Sequence, residues 1–275
     1  MASASGPAVS GGPSKGTALV SAVCAVFIGL GRRALSGYDP HMCGRYTQQR
    51  SWSELVRLYR ITDSPERPNL PPRYNIAPTQ NVPAVRIRPS DEERELVLLR
   101  WGLVPSWAKD ADIGARMINA RAETVAEKPS FRNALKRRRC LIVADGFYEW
   151  QKQPQGPKQP YWITLKGEKP FAFAGLWERW DRAPNGTALE TCTIITTRAN
   201  ELLRPVHDRM PVILSPDAYD VWLDVESYQG REVADLLRPY PSEALMARPV
   251  SRRVNNVAND DPECIEPVGT EGATV

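Results

Sequence analysis

From residue 82 to residue 250 the chain runs in short apolar or alternating segments, each closed by proline, glycine or a polar turn, and that pattern admits few folds. Segments 82–87 and 95–101 flank Pro89-Ser90-Asp91, which predicts a β-hairpin. Segments 140–144 and 147–150 are separated by Asp145-Gly146, which predicts that the second returns along the first. Further strands are expected at 161–165, 171–177, 191–196, 212–214 and 245–250.

Helices are fewer. Residues 51–59 alternate as a short amphipathic helix with Ser51 or Ser53 as its cap. Ser130 is placed to cap a helix at 131–138, and Pro216 to open one through 223 at its first turn. Another is expected at 230–237, with a helical turn at 199–203. Pro68, Pro71 and Pro72 force an extended loop, and Trp101 to Trp107 form an aromatic loop. Residues 119–124 are polar and turn-prone, and 152–159 form a Pro/Gly/Gln loop. Strands outnumber helices without alternating regularly with them, which gives an α+β fold on an antiparallel sheet or barrel. No repeat and no internal linker divides it. From 258 onward the composition is that of a polar tail.

The first 41 residues stand apart. Residues 1–16 are mostly Ser, Gly, Ala and Pro with a single Lys, and cannot bury a core. The apolar run at 17–31 is short for a bilayer, and Arg32-Arg33 follow it instead of preceding it. Cleavage before Cys43 would put Pro40 and Met42 where a signal peptidase needs small residues. This leader is expected to be disordered, either an upstream extension of the reading frame or a processed segment. The net charge of +4 permits a nucleic-acid partner without requiring one. Cys24, Cys43, Cys140, Cys192 and Cys264 are odd in number, widely spaced and free of CxxC pairs. That argues against a disulfide framework or a zinc site and for a reducing compartment. After the leader His207 is the single imidazole, and Lys136 to Arg139 form a basic run that reads as a solvated helix end.

Met42-Cys43 joins leader to globular chain, and a start there has chemical consequences. Methionine removal before a small residue would leave Cys43 with a free α-amine and a thiol on adjacent carbons. The amine, with a reference pKa of about 7.7–8.0 against about 10.4 for lysine, is often unprotonated at neutral pH. It condenses with an aldehyde to an imine, and the thiol closes a thiazolidine ring. The plain alternative is a small, half-buried hydrophobe.

The segments MCGRY at 42–46, RYNIAPTQ at 73–80 and WGLVPSW at 101–107 continue with INARAET at 118–124, ADGFYEW at 144–150 and HDRMP at 207–211. PVS at 249–251 with downstream Asn255 completes the set. In this order across 43–267, the segments resemble the SOS-response-associated peptidase (SRAP) family, whose members process abasic sites. The leader departs from the family pattern, because members begin at the Cys after the initiator Met.

The resemblance implies a single domain at 43–267, with antiparallel sheets curled into a barrel-like core flanked by short helices and a polar tail at 268–275. It implies a groove for single-stranded DNA containing an abasic site, a covalent adduct on Cys43, lyase-type chemistry and slow reversal. It also implies an intracellular, DNA-associated monomer with no metal or organic cofactor. Cys43 is then the nucleophile, Glu149 the proton shuttle and His207 the acid/base for ring opening or reversal. Asn119 would hydrogen-bond the lesion sugar and Asn75 help hold the N-terminal residue. Arg45, Arg73 and Arg121 would bind phosphates. Trp107 would stack on a base with Pro105 beside it, and Thr196 would line the pocket. Two rivals stand beside this reading: an N-terminal-nucleophile cysteine hydrolase that frees Cys43 by cutting its own leader, and a non-catalytic nucleic-acid reader with a structural Cys43.

Overall fold

The computed structural model describes Met1 and residues 43–62, 70–88, 90, 92–182 and 186–269. The leader after Met1, Pro68, Pro89, Asp91 and residues 270–275 of the expected tail lie outside the described residues. Strand β1 (Tyr46–Gln48) leads into helix α1 (Trp52–Tyr59). Of the two serines expected to cap α1, Ser51 does so. Its backbone N–H donates to the Glu54 carboxylate at 2.8 Å, and the Glu54 N–H donates to its hydroxyl. Leu55 and Tyr59, one turn apart, are the buried face, and the Tyr59 hydroxyl donates to Phe171 O at 2.9 Å.

Strands β2 (Arg73–Ile76), β3 (Asn81–Ile87), β4 (Arg94–Trp101) and β5 (Asn119–Arg121) follow. Helix α2 (Arg132–Arg137) precedes β6 (Arg139–Ala144), β7 (Gly146–Gln151), β8 (Gln159–Leu165), β9 (Phe171–Trp180) and β10 (Leu189–Arg198). Then come β11 (Arg209–Pro211), β12 (Ile213–Leu214), α3 (Tyr219–Leu223), α4 (Arg231–Leu236) and β13 (Leu245–Pro249). The helix expected to open at Pro216 begins as a 3-10 turn, Pro216–Ala218, that runs into α3.

Five of these strands close on themselves. β10 pairs with β4, β4 with β3, β3 with β6, β6 with β9, and β9 returns to β10. Only the β10–β4 contact in this ring is parallel. Closure removes the exposed edges that an open sheet would carry. A second, open sheet runs in the order β13-β8-β7-β1-β2, all antiparallel. Both faces of β6 are buried, which is why it reads as an unbroken apolar run. Cys140, Ile142 and Ala144 join one core with Tyr46, Trp101 and Phe173, while Leu141 and Val143 join another with α1 and α3.

Several expectations change. β7 does not return along β6; it crosses into the open sheet, where it pairs with β1 and β8. The corner is held by Asp145, whose carboxylate accepts from Thr47 Oγ1 at 2.5 Å and from the Gln49 N–H at 2.5 Å. These bonds fold the chain toward β1 at the point where a hairpin turn was expected. Residues 119–121 form β5, a strand parallel to β10, because the backbone of Ile194 to Thr196 offers them a ladder. Ser130 does not cap α2; Phe131 holds that position without a side-chain bond. Arg139 leaves the basic run for the interior: its guanidinium donates to Trp222 O, Leu135 O, Asp224 O and Tyr228 O. Those carbonyls replace water for a cation that burial would otherwise penalise. The composition after 258 is polar, yet Cys264 is buried and Pro267 bridges to Val250. Packing of Cys264 and Val254 against Tyr148 and Trp162 holds that segment on the open sheet.

Gly146 marks the crossing. A Cβ there would lie 2.2 Å from Trp162 Nε1 and 2.9 Å from Thr47 Oγ1. The indole is fully buried and has nowhere to move. Gly146→Ala is therefore expected to lower stability by about 1–3 kcal/mol, the usual cost of overpacking. In urea denaturation the midpoint should fall with an unchanged slope, and an unshifted midpoint would contradict the tight packing at this corner.

Candidate active site

The β1–β7 ladder continues upstream of its named ends, for the Tyr148 N–H donates to Arg45 O at 3.0 Å. Extending that antiparallel register sets Gly44 opposite Glu149, with Cys43 next along the chain. Cys43 is 4% exposed and Glu149 2%. Their side chains hydrogen-bond, and burial raises both groups. The thiol is pushed well above its ordinary value by burial, then by the adjacent Glu149 charge. The Glu149 carboxyl is pushed up to about 8, chiefly by burial, with the charge of Asp208 acting in the same direction. At neutral pH this pair is a thiol beside a carboxylic acid.

Asn119 enters from the barrel side on β5. Its Nδ2 donates to Cys43 O at 3.1 Å. Asn119 Oδ1 and Glu149 Oε1 are buried without a hydrogen-bond partner. Native structures leave few such atoms, and each calls for a reason. Thr196, fully buried on β10, and Arg209 on β11 complete this side: Arg209 Nη2 donates to Thr196 O at 2.7 Å and Oγ1 at 3.2 Å. The Arg209 charge acts on the Cys43 thiol, against the effect of burial.

Cys43, Glu149, Asn119 and Thr196 thus converge from two sheets. His207 lies in the loop before β11, two residues from Arg209. Its Nδ1 accepts from the Arg209 N–H at 3.0 Å and stands 3.3 Å from the Asp208 carboxylate. Nδ1 also lies 3.3 Å from Arg209 O. Arg121 is exposed at the end of β5, and Trp107 is 52% exposed, which removes a core role for it, while Pro105 is buried. Arg45, Arg73 and Asn75 gather elsewhere, under the segment after β13. Arg45 Nη1 donates to Asn75 Oδ1 and Val254 O, each at 2.8 Å. The Asn75 amide donates to Val254 O, Asn256 O and Asn259 O. Asp260 pairs with Arg73 and accepts the N–H groups of Tyr74 and Asn75. Asn75 therefore reaches the Cys43 strand through Arg45. Among the described residues no group of three or more His, Cys, Asp or Glu is placed to hold a metal ion. None of their helices is long and apolar enough to cross a membrane.

The family model for SOS response associated peptidase (SRAP) matches residues 42–257. The chain belongs to the SRAP family. YoqW of Bacillus subtilis (strain 168), named an abasic site processing protein, is 45% identical over 225 residues, covering 82% of this chain and 99% of that one. HMCES of Gallus gallus, named likewise, is 36% identical over 265 residues, covering 82% of this chain and 78% of that one. A crystal structure of a Bacteroides thetaiotaomicron protein superposes with a TM-score of 0.74 at 28% identity, covering 82% of this chain and all of that one. The family and the barrel-centred α+β fold expected from the sequence are those of the protein.

In this SRAP chain sequence reasoning passed over Arg209, Glu123 and Asp260 as site residues. Arg209 and Glu123 lay inside quoted motifs, but their pairing spans 86 positions. Asp260 follows the residues matched by the family model and looked like tail. No local signal marks a residue whose partner is decided by how the sheets pack.

Proposed function

We propose that this chain captures abasic sites in single-stranded DNA as a thiazolidine on Cys43, once the bond between Met42 and Cys43 has been cut. The observation that carries the reading is the cluster of Cys43, Glu149 and Asn119, with two buried oxygens unpartnered. An unpaired buried polar atom costs ~1–3 kcal/mol, which a hydroxyl-bearing ligand would relieve. A ring-opened abasic deoxyribose supplies one such hydroxyl, on C4', together with an aldehyde. The shared name of the relatives, abasic site processing protein, supports the same substrate class.

The Cys43 α-amine attacks the aldehyde carbon to give a carbinolamine. Glu149, still protonated at neutral pH because it titrates at about 8, gives its proton to the departing hydroxyl, and water leaves an imine. The nitrogen keeps its proton in that imine, and the thiol sulfur then adds to the imine carbon while the thiol proton passes to the Glu149 carboxylate and restores it. Aldehyde and aminothiol become thiazolidine and one water, with no change of oxidation state. His207 serves as the acid for sugar-ring opening and for reversal. Asn119 Oδ1 accepts from a sugar hydroxyl, and Thr196 closes the pocket. Arg45, Arg73 and Arg121 contact phosphates, with Asn75 steadying Arg45, and Trp107 stacks on a base beside Pro105. The working unit in this reading is a monomeric 43–267 domain acting on DNA inside the cell.

The test uses protein whose N-terminus is verified by mass spectrometry as Cys43. A single-stranded oligonucleotide containing uracil, treated with uracil glycosylase, should give a slow band on a denaturing gel. The same oligonucleotide without glycosylase should give none. No slow band from correctly processed protein overturns the proposal.

A further inference from the structure

We propose that Glu123 is a positioning residue for DNA capture, holding the Arg209 guanidinium against Thr196 of β10 with its Nε–H reserved for an oxyanion of the substrate. The inference rests on the function proposed above and adds a residue to it. Arg209 Nη1 donates to Glu123 Oε1 at 2.7 Å and Nη2 to Oε2 at 3.0 Å, a fork-to-fork pair. Nη2 is further held by Thr196 O and Oγ1. A guanidinium is planar and rigid, so anchoring both Nη atoms also sets the direction of Nε. That Nε is buried and has no partner. The Arg209 side chain is only 12% exposed, so the orphaned donor lies in a desolvated place where an anionic acceptor gains most.

Local structure explains how Glu123 gets there. β5 delivers Asn119 to Cys43 O, and the turn that follows, closed by the Thr124 N–H on Arg121 O at 3.1 Å, brings Glu123 round to Arg209. One short strand therefore sets both the sugar-facing amide and the brace of the arginine. Net charge argues the other way. Glu123 is a 40% exposed carboxylate two residues from Arg121, and it should repel a polyanion. On charge alone its removal tightens DNA binding; as a brace its removal weakens binding. The sign separates the two accounts.

The probe is a single-stranded oligonucleotide carrying a tetrahydrofuran abasic analogue, which has no aldehyde, with affinity read by fluorescence anisotropy. Glu123→Ala is expected to weaken binding at least ~10-fold, the scale for truncating one partner of a close charged pair. Glu123→Gln, which keeps one acceptor for Nη1, should fall between Glu123→Ala and the parent, and guards against a folding defect in the alanine variant. The Arg209→Ala/Glu123→Ala double variant should bind no more weakly than Arg209→Ala, because the carboxylate acts only through the arginine. With the aldehyde-bearing oligonucleotide, Glu123→Ala should raise the half-saturating concentration more than it lowers the saturated trapping rate. Equal or tighter binding by Glu123→Ala, or additive losses in the double variant, would overturn the inference. Parent protein that binds the analogue but forms no adduct with the aldehyde sinks the proposed function and leaves the Glu123 result standing on binding. Parent protein that binds neither DNA sinks both.

Discussion

Cys43→Ser leaves no slow-migrating protein–DNA species in the denaturing-gel assay, a loss of two orders of magnitude or more, on the scale of removing a covalent nucleophile (~10² and above). Serine keeps the α-amine and an isosteric side chain, so imine formation survives. What disappears is the soft sulfur that closes the ring and makes the adduct persist through denaturation. A Cys43 nitrogen blocked by formylation should abolish the band as completely, because the first bond is then impossible. The two lesions dissect the chemistry. Cyanoborohydride should rescue a reduced imine band from Cys43→Ser and none from the blocked protein. A persistent band in Cys43→Ser without reductant would place the chemistry on a lysine and remove Cys43 from the centre of the site. Protein retaining residues ahead of Cys43 should behave as the blocked form, since its Cys43 nitrogen is an amide.

Glu149→Gln has two opposed effects. Removing the proton shuttle should slow adduct formation by ~10²-fold at pH 7, a typical general acid–base contribution. The parent rate should fall as pH rises through about 8, where Glu149 loses its proton, and the variant should lack that limb. Stability moves the other way. The carboxyl binds its proton up to about pH 8 when folded, against an ordinary value of 4.5. Between those values the folded state holds more protons than the unfolded one, so the stability of the parent declines as pH rises. At about 1.4 kcal/mol per unit, the buried group costs about 5 kcal/mol above pH 8 and nothing below the unfolded value. Glu149→Gln should therefore be more stable than the parent at pH 8.5, with the difference closing near pH 4.5. Denaturant unfolding at both pH values checks this; a variant less stable than the parent at pH 8.5 would mean that the carboxylate is stabilised in the fold.

Much of this protein was readable before its structure. The hairpin of β3 and β4 was marked by alternation around a turn, and both strands pair in full register. The capping box at Ser51 and Glu54 is a local arrangement, three residues apart, and local arrangements are written in sequence. The peculiarity of Cys43 followed from its place after a methionine and from the motifs downstream. Errors fell where a long-range partner overrode a local signal. Asp145-Gly146 has turn chemistry, but the Thr47 hydroxyl and Gln49 N–H capture the Asp145 carboxylate and send β7 into the other sheet. Residues 119–121 read as part of a polar turn, and pairing with β10 makes them a strand all the same. Arg139 stands in a basic run, yet the carbonyls of Trp222, Asp224 and Tyr228 draw it inside.

By itself the sequence determined most of the longer strands and the helices, that an antiparallel core would hold them, and which cysteine was the candidate for the chemistry. These depend on periodicity, capping and bonding between near neighbours, and short-range energies are legible in order along a chain. Tertiary structure decided that β7 lies beside β1, that Asn119 meets Cys43, that Glu123 braces Arg209, and that Glu149 keeps its proton at neutral pH. Those outcomes depend on burial and on pairs about a hundred positions apart, as Thr47 and Asp145 are. Dielectric and proximity belong to the packed assembly of sheets, and neither exists until the chain has closed upon itself.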